Sequence, residues 1–223
     1  AQEAGHLQVF ANTEVLDLET VEDAIGIPRI DAVVTNRGRI VTDHVVIACG
    51  VWSNRLANMA GATIPLTPTV HQMADVGPID VLAATNNEIG YPIVRDMDTL
   101  CYERQTAGSM EVGSYAHRPI FHHPDTIPSN EESALSPTEL PLSQDDFDPA
   151  MEQAIELMEV LGDAEIKYAI NGLLSLTPDA MPVIGETVEV ENLWSAAAVW
   201  VKEGPGIGQL VAEWMTYGYP HLA

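Results

Sequence analysis

A short apolar run that ends at a glycine is the feature that most constrains the fold. Residues 43–48 read DHVVIA, Gly50 follows, and residues 52–60 carry a helical pattern that stops at Gly61. A continuous apolar strand is typical of a sheet covered on both faces, and a strand that leads into a helix is the repeating unit of α/β folds. The first part of the chain is therefore predicted to contain a buried strand and a short helix.

The pattern changes after about residue 64. Prolines now separate strand-like segments, which occupy residues 69–76, 100–104, 111–115 and 167–176. Residues 122–146 are rich in Pro, Ser, Asp and Glu, which favours a long polar surface loop. A helix is expected over residues 148–162, with Asp148 as its N-cap and Pro149 at its first position.

Both ends of the chain carry further strand and helix patterns. Strands are expected at residues 7–10, 15–18, 30–34 and 193–201, with a hairpin turn at 36–38 and a closing helix over 205–217. The fold class is therefore predicted to be α/β (mixed α+β), with a mostly antiparallel sheet in the middle. Residues 1–64 and 176–223 are expected to form one domain, and residues 65–175 a second.

The charge of the chain limits its partners. Asp and Glu number 33 and Lys and Arg only 9, for a formal charge of −24. Such an acidic surface repels phosphates and anionic lipids. We therefore expect neither nucleic acid nor membrane as a partner. The scarcity of lysine favours a halophilic source, with an ordinary acidic mesophilic protein as the alternative.

Cysteine content and hydropathy indicate the compartment. Cys49 and Cys101 are too few for a disulfide framework, and no run of 18 apolar residues could span a membrane. A reducing cytoplasm is the expectation.

Four stretches of the chain carry motifs that occur together in one family. They are residues 43–52 (DHVVIACGVW), 65–72 (PLTPTVHQ), 113–119 (GSYAHRP) and 171–186 (NGLLSLTPDAMPVIGE). In this order they resemble the FAD-dependent dimethylglycine dehydrogenase/oxidase and sarcosine dehydrogenase family of D-amino-acid-oxidase-like flavoproteins. The resemblance implies FAD as cofactor and an N-methylated glycine, dimethylglycine or sarcosine, as substrate. Hydride would pass from an N-methyl carbon to the flavin. Residues 1–64 and 176–223 would then belong to the FAD-binding domain, and 65–175 to the substrate-binding domain.

The chain lacks the G-x-G-x-x-G fingerprint that binds the FAD diphosphate in this family. It also lacks an initiator Met, which suggests a start inside a longer gene product. We therefore expect a fragment or one subunit of a split enzyme, which would pair with a second chain carrying that fingerprint or form a homo-oligomer. A proteolytic remnant is also possible. The alternative function is a non-catalytic substrate-binding or assembly subunit that kept the fold.

The resemblance implies a catalytic role for His71, beside the substrate and the flavin. A histidine with a near-neutral pKa can accept the amine proton or hold the amine; judged by spacing alone, a structural histidine is the commoner case. Relatives carry two tyrosines where this chain has Cys101 and Tyr102. Either Tyr102 takes the role of the first tyrosine, or the site works without it, or the substrate differs. Cys101 is equally well explained as a small buried apolar residue.

The resemblance also implies a set of cofactor-binding positions. They are Val15 near the adenine, Gly50 and Trp52 near the flavin, and Val201, Lys202, Glu203, Gly204, Pro205 and Gly206 around the pyrimidine end. The last helix would point its positive N-terminus at the flavin. Glu203 is unexpected there, because an anion destabilises a reduced flavin. Plain core packing is the alternative for Val15 and Trp52.

Arginine is scarce, so each one is a candidate for binding a substrate carboxylate. The candidates are Arg95, Arg104 and Arg118, and the commoner use of arginine in surface ion pairs is the alternative for each. His122 and His123 are adjacent in a polar loop, which is poor ligand geometry, and no metal site is expected.

Overall fold

The chain divides into two compact units in a computed structural model that describes residues 5–133 and 136–221. Unit 1 comprises Ala1–Leu66 with Ser175–Ala223, and unit 2 comprises Thr67–Leu174. The assignment of these regions to FAD-binding and substrate-binding roles stays a prediction.

Unit 1 contains two three-stranded sheets and two helices. The first sheet is antiparallel and consists of β1 (Val15–Glu22), β2 (Pro28–Thr35) and β3 (Gly38–Val41). The second contains β4 (Val45–Ile47), β11 (Val183–Glu186) and β12 (Leu193–Ala197). In it, β12 runs parallel to β4 and antiparallel to β11. The helices are α1 (Ser53–Met59) and α4 (Gly204–Tyr217).

The core of unit 1 joins both sheets to the helices. Leu18, Ile30, Ile47 and Leu193 are buried in one cluster. A glycine in β11 allows α4 to pack closely, because a Cβ at Gly185 would lie 3.1 Å from the ring of Trp214. That ring meets Trp194 of β12 edge-on, with centroids 5.8 Å apart, a favourable aromatic geometry.

Unit 2 is built on one six-stranded sheet. Its strands are β5 (Thr67–Gly77), β6 (Val94–Asp96), β7 (Cys101–Thr106), β8 (Ser109–Ser114), β9 (Glu139–Leu140) and β10 (Glu165–Leu176). Their order is β6-β7-β8-β5-β10-β9, and β5, β6, β7 and β8 pair antiparallel. The helices are α2 (Asp80–Ala83) and α3 (Gln144–Leu157).

Helix α3 covers one face of this sheet. Its Phe147, Ala150 and Ala154 are buried together with Val76 of β5 and Val112 of β8. Side chains alternate across a strand, so the residues next to these project from the opposite face. That face carries the candidate catalytic residues.

The predicted mixed α/β fold class is confirmed, and so are the hairpin of β2 and β3 and the expected strands β5, β7, β8 and β10. The closing helix is confirmed as α4. None of the helices in the described residues is long and apolar enough to cross a membrane.

The prediction of a helix starting at Asp148 was wrong. Helix α3 begins at Gln144, and the carbonyl of Ser143 accepts hydrogen bonds from the amides of Asp146 and Phe147. Acidic residues in the first turn favour this start, because they face the positive end of the helix dipole. Pro149 therefore lies inside the helix, which ends at Leu157 instead of 162.

Three strand predictions also need correction. Residues 7–10 form no strand and are exposed. Strand β12 ends at Ala197 because Ala198 has a φ of +55°, outside the β region. Strand β4 is not buried on both faces: Val46 is 40% exposed, because the described residues cover only one side of it. The expected loop at 122–146 contains β9 and the start of α3, and residues 134 and 135 of it lie outside the described residues.

Candidate active site

His71 and Tyr102 meet on the sheet face of unit 2 opposite α3. His71 lies on β5 and Tyr102 on β7, separated by β8. The imidazole Nε2 is 3.0 Å from the phenol oxygen of Tyr102, a hydrogen bond. Tyr115, which follows β8, stacks on the His71 ring with centroids 4.1 Å apart and planes 13° apart. The structure therefore brings together His71, Tyr102 and a further aromatic ring.

A glycine on the intervening strand makes this contact possible. Gly113 of β8 pairs with Tyr102 on one side and with Met73 of β5 on the other. A Cβ at Gly113 would lie 2.1 Å from Tyr102 Cζ, which is sterically impossible. The Tyr102 ring thus lies across the bare backbone of β8, which lets its hydroxyl reach His71.

Both members of the pair are neutral near pH 7. Burial, with a smaller contribution from the charge of His117, lowers the pKa of His71 to about 4, while a backbone contact with Ser114 opposes the shift. Burial raises the pKa of Tyr102 to about 12, with Tyr115 and Glu111 adding to the effect. His71 Nδ1 is buried and has no well-formed hydrogen bond to the described residues. The pair can therefore hold a polar group without adding charge.

Cys101 is not brought into this cluster. It precedes Tyr102 on β7 and so projects from the opposite face, where it is 1% exposed. Its Sγ lies 3.6 Å from the carbonyl oxygen of Thr99 and 3.9 Å from Gln153 Oε1. Cys101 belongs to the core beneath α3, and of the two candidates only Tyr102 contacts His71.

Tyr115 and Gly113 join the site without having been predicted from the sequence, and Arg95 joins it as one of the three candidate arginines. Gly113 and Tyr115 lie within the motif at residues 113–119, but their roles depend on cross-strand register, which the motif does not reveal. The Arg95 guanidinium lies 5.8 Å from the centroid of the Tyr115 ring, within cation–π range. The scarcity of arginine in the sequence is the signal that makes Arg95 a candidate for contact with the substrate.

The candidate cofactor positions near the first helix lie in unit 1. Gly50 adopts a left-handed φ of +55°, which explains a glycine there. A Cβ at this position would meet only Ser175 Oγ, at 3.9 Å. Trp52 is half-buried, and Val15 packs at the edge of the core of unit 1.

The loop before α4 is open. Val201 is 97% exposed, and the added Cβ atoms of Gly204 and Gly206 would meet nothing within 4 Å. This leaves the backbone at the helix N-terminus accessible from outside unit 1. Pro205, between the two glycines, has no amide hydrogen and suits the first turn of a helix.

Glu203 does not present an uncompensated charge. Its carboxylate accepts a hydrogen bond from Lys202 Nζ at 2.5 Å and another from the Trp200 amide at 3.3 Å. The Lys202 bond is the main cause of the lowered pKa of Glu203, and the Trp200 amide adds to it. Glu203 therefore stabilises the loop through these hydrogen bonds, and its charge is paired with that of Lys202.

Comparison with known proteins identifies the family. Residues 1–214 match the family model DAO, described as FAD dependent oxidoreductase. The chain is 32% identical over 191 residues to 4-methylaminobutanoate oxidase (formaldehyde-forming) of Paenarthrobacter nicotinovorans, covering 84% of this chain and 22% of the relative. It is 31% identical over 216 residues to mitochondrial sarcosine dehydrogenase of Mus musculus, covering 96% and 22%. The resemblance drawn from the motifs is confirmed.

Two further matches bear on fold and function. The structure of L-proline dehydrogenase from P. horikoshii superposes with a TM-score of 0.70 and 26% identity, over 94% of this chain and 51% of that one. The mitochondrial pyruvate dehydrogenase phosphatase regulatory subunit of Mus musculus is 27% identical over 221 residues, covering 96% of this chain and 23% of that protein. The chain spans less than a quarter of the length of these curated relatives.

Proposed function

The chain belongs to the DAO family of FAD-dependent oxidoreductases, and on that premise we propose that it takes part in the oxidation of an N-methylated amino acid. Dimethylglycine and sarcosine are the preferred candidates, and the relative that acts on 4-methylaminobutanoate extends the class to longer chains. The observation that carries the proposal is the neutral His71–Tyr102 pair, held at 3.0 Å on the sheet face opposite α3.

His71 and Tyr102 would hold and orient the substrate amine. An amine loses hydride from its methyl carbon only when its nitrogen is unprotonated. Partial burial beside an uncharged pair favours that neutral form, because desolvation destabilises the ammonium ion. With Tyr102 donating to His71 Nε2, the phenol oxygen can accept the N–H of a secondary amine such as sarcosine. With His71 Nε2–H donating to the phenol oxygen, the Tyr102 hydroxyl can instead donate to the lone pair of a tertiary amine such as dimethylglycine. The Tyr115 ring, stacked on His71, shields this contact from water.

The residues of unit 1 fit a bound FAD at the α4 N-terminus. Val201, Lys202 and Glu203 form the turn before α4, and Gly204, Pro205 and Gly206 form its first turn. The glycines leave the backbone open, and Lys202 neutralises Glu203. An open helix N-terminus favours anionic and electron-rich groups. Gly50, Trp52 and Val15 are proposed as further contacts. When bound, FAD would supply the acceptor for the hydride.

Exposed apolar strands in unit 1 support a further protein partner. Ile40, Val41 and Val46 lie on β3 and β4 and are exposed, as is Leu16 of β1. Surfaces of this kind are usually covered in the assembled protein. We propose that a polypeptide carrying the G-x-G-x-x-G fingerprint, or a second copy of this chain, covers them. Light scattering at several salt concentrations tests the assembly, and a stable monomer throughout would contradict it.

A non-catalytic regulatory role is the second candidate, favoured by the match to a phosphatase regulatory subunit. Two features of the sequence, Cys101 and Glu203, favour this role, but both arguments are weaker in the structure. Cys101 lies in the core instead of replacing a site tyrosine, and Glu203 is paired with Lys202. The intact His71–Tyr102 pair favours the enzyme.

Formaldehyde release separates the two functions. Oxidation of an N-methyl group gives an iminium ion that hydrolyses to formaldehyde, so the flavin-loaded protein should release it from dimethylglycine or sarcosine. The variant His71→Gln should lose most of this activity, whereas His123→Gln, on an exposed loop, should keep it. Equal activity in both variants would contradict the role of His71. Complete inactivity of the wild type after assembly with the polypeptide that carries the G-x-G-x-x-G fingerprint would favour the regulatory function.

A further inference from the structure

An ion pair joins the segment that follows β8 to the first turn of helix α3. The Arg118 guanidinium donates to both carboxylate oxygens of Asp146, at 2.9 and 3.0 Å. The Arg118 side chain is 68% exposed, whereas that of Asp146 is only 13% exposed. Two parallel hydrogen bonds fix the orientation of both partners as well as their distance. The pair therefore restrains residues 115–118 relative to the helix.

Asp146 is itself held in place by the residue that precedes the helix. The Ser143 hydroxyl donates to Asp146 Oδ2 at 2.7 Å, and the Ser143 carbonyl accepts a hydrogen bond from the Asp146 amide at 3.1 Å. The Ser143 hydroxyl is the largest cause of the lowered pKa of Asp146, and Arg118 adds to it. Asp146 therefore stays ionised through the neutral pH range, and its bonds to Arg118 persist there.

The same serine is bonded to the strand that carries His71. The Ser143 amide donates to Oε1 of Gln72 at 2.9 Å. Gln72 follows His71 on β5 and is fully buried, and it projects from the face of the sheet that α3 covers. Gln72, Ser143, Asp146 and Arg118 thus form one continuous set of hydrogen bonds, the α3 network. It joins the helix to β5 on one side and to residues 115–118 on the other.

Residues 115–118 carry the ring that covers His71. Tyr115 stacks on the imidazole with centroids 4.1 Å apart, yet its side chain is 38% exposed. A ring so exposed is not confined by a surrounding core, so its position depends on the backbone that carries it. The Tyr115 amide donates to the Leu100 carbonyl at 3.1 Å, which restrains one end of the segment. Arg118 restrains the other end.

We propose that Asp146 and Arg118 are positioning residues for the oxidation, which hold residues 115–118 so that the Tyr115 ring stays stacked on His71 and excludes water from the contact with the amine. The inference rests on the proposed function. An ion pair with one exposed partner adds little to stability, about 1 kcal/mol or less. Its loss should therefore affect the arrangement of the site more than the folding of the chain.

Substitution of either partner tests the effect on activity. Arg118→Met and Asp146→Asn should each lower kcat for an N-methylated amino acid roughly 10-fold, with little change in melting temperature. Arg118→Lys keeps the charge but not the planar fork, so its loss should be smaller. The double variant should be no less active than the weaker single variant, because both changes remove the same contact.

Asp145→Asn is the matched control. Asp145 is exposed and lies beside Asp146 in the first turn of α3, so the change removes the same charge from the same helix end. It leaves the bonds to Arg118 in place and should leave kcat unchanged. An equal loss of activity in Asp145→Asn and Asp146→Asn would assign the effect to the charge at the helix terminus and overturn the positioning role.

The protonation of His71 gives a readout that needs no turnover. Burial is the largest cause of its pKa of about 4, and the charge of His117, which lies in the same segment, adds to it. Release of the segment admits water and moves His117 away, and both changes raise the pKa of His71 towards its ordinary value. In the flavin-loaded protein with ¹³C-labelled histidine, the His71 signal is assigned by its absence in His71→Gln. It should stay constant in the wild type between about pH 5.5 and 8 and should titrate in Arg118→Met.

An unchanged His71 titration in both Arg118→Met and Asp146→Asn would overturn the inference. If the wild type oxidises no N-methylated amino acid but the His71 titration still depends on Arg118, the proposed function fails and the positioning role stands.

Discussion

The two faces of the six-stranded sheet differ in function: one packs into the core, and the other carries groups that can contact a ligand. Successive residues of strand β7 show this difference. Cys101, Glu103 and Gln105 project into the interior under α3, while Tyr102 and Arg104 project from the other face. The interior residues pack in the core or stabilise loops. Gln105, for example, accepts hydrogen bonds from the amides of Gly90 and Tyr91. The other face collects groups that can contact a ligand. Neighbours in sequence thus have separate functions because the side-chain period of a strand is two.

The largest effect is expected from adding a side chain at Gly113, the residue of β8 over which the Tyr102 ring reaches His71. Gly113→Ala places a Cβ where the Tyr102 ring lies, so the ring must move away from His71. We expect kcat/KM for an N-methylated amino acid to fall roughly 10²-fold, as displaced catalytic groups generally cause. Gly172→Ala is the matched control, because its Cβ would meet only the His71 carbonyl oxygen at 3.8 Å. Similar activity in both variants would contradict the arrangement.

Substitutions at two adjacent positions test the division between the faces directly. Tyr102→Phe removes the hydroxyl that contacts His71, so we expect kcat/KM to fall about 10-fold with little change in melting temperature. Cys101→Ala removes a buried sulfur from the core, so we expect a loss of about 1 kcal/mol in stability and near-normal activity. Denaturant titration and steady-state kinetics on both variants measure the contrast. An activity loss confined to Cys101→Ala would reverse our assignment.

The smallest expected effect concerns Glu103, which is 1% exposed and whose two carboxylate oxygens have no partner among the described residues. Burial, assisted by Asp96, raises the pKa of this group. The folded state therefore holds its proton more tightly than the unfolded state. Stability attributable to Glu103 is unaffected below the unfolded pKa and falls as pH rises through the folded pKa.

Glu103→Gln should therefore stabilise the protein at pH 8 by about 1 kcal/mol, with no gain near pH 4. Glu152→Gln, on the exposed side of α3, is the control and should change stability little at either pH. Urea unfolding at several pH values measures both. A gain for Glu103→Gln that is independent of pH would show that the buried carboxylate is not the cause.

Local patterns were enough to predict much of this face from the sequence. Strand-like segments in the proline-rich middle of the chain located β5, β7 and β8, and the motif at residues 65–72 singled out His71. The choice between Cys101 and Tyr102 was left open, because a motif aligned by position does not reveal which face a residue occupies. Only the pairing of β7 with β8 decides this.

Other features depend on contacts between distant residues, which no local pattern contains. The role of Gly113 requires the register of three strands, and the position of Arg95 over Tyr115 requires the pairing of β6 with β7. The start of α3 was misplaced because Pro149 was given the first helical position, whereas the acidic turn before it begins the helix. The strand expected at residues 7–10 failed because apolar character alone supplies no pairing partner.

The most direct test of the account is the absorption spectrum of the flavin-loaded protein, mixed with dimethylglycine in the absence of oxygen. We predict that the flavin band bleaches in the wild type and that bleaching slows strongly in Gly113→Ala and in His71→Gln. A flavin that stays oxidised in the wild type with dimethylglycine, sarcosine and 4-methylaminobutanoate would contradict the assignment of this sheet face to amine oxidation.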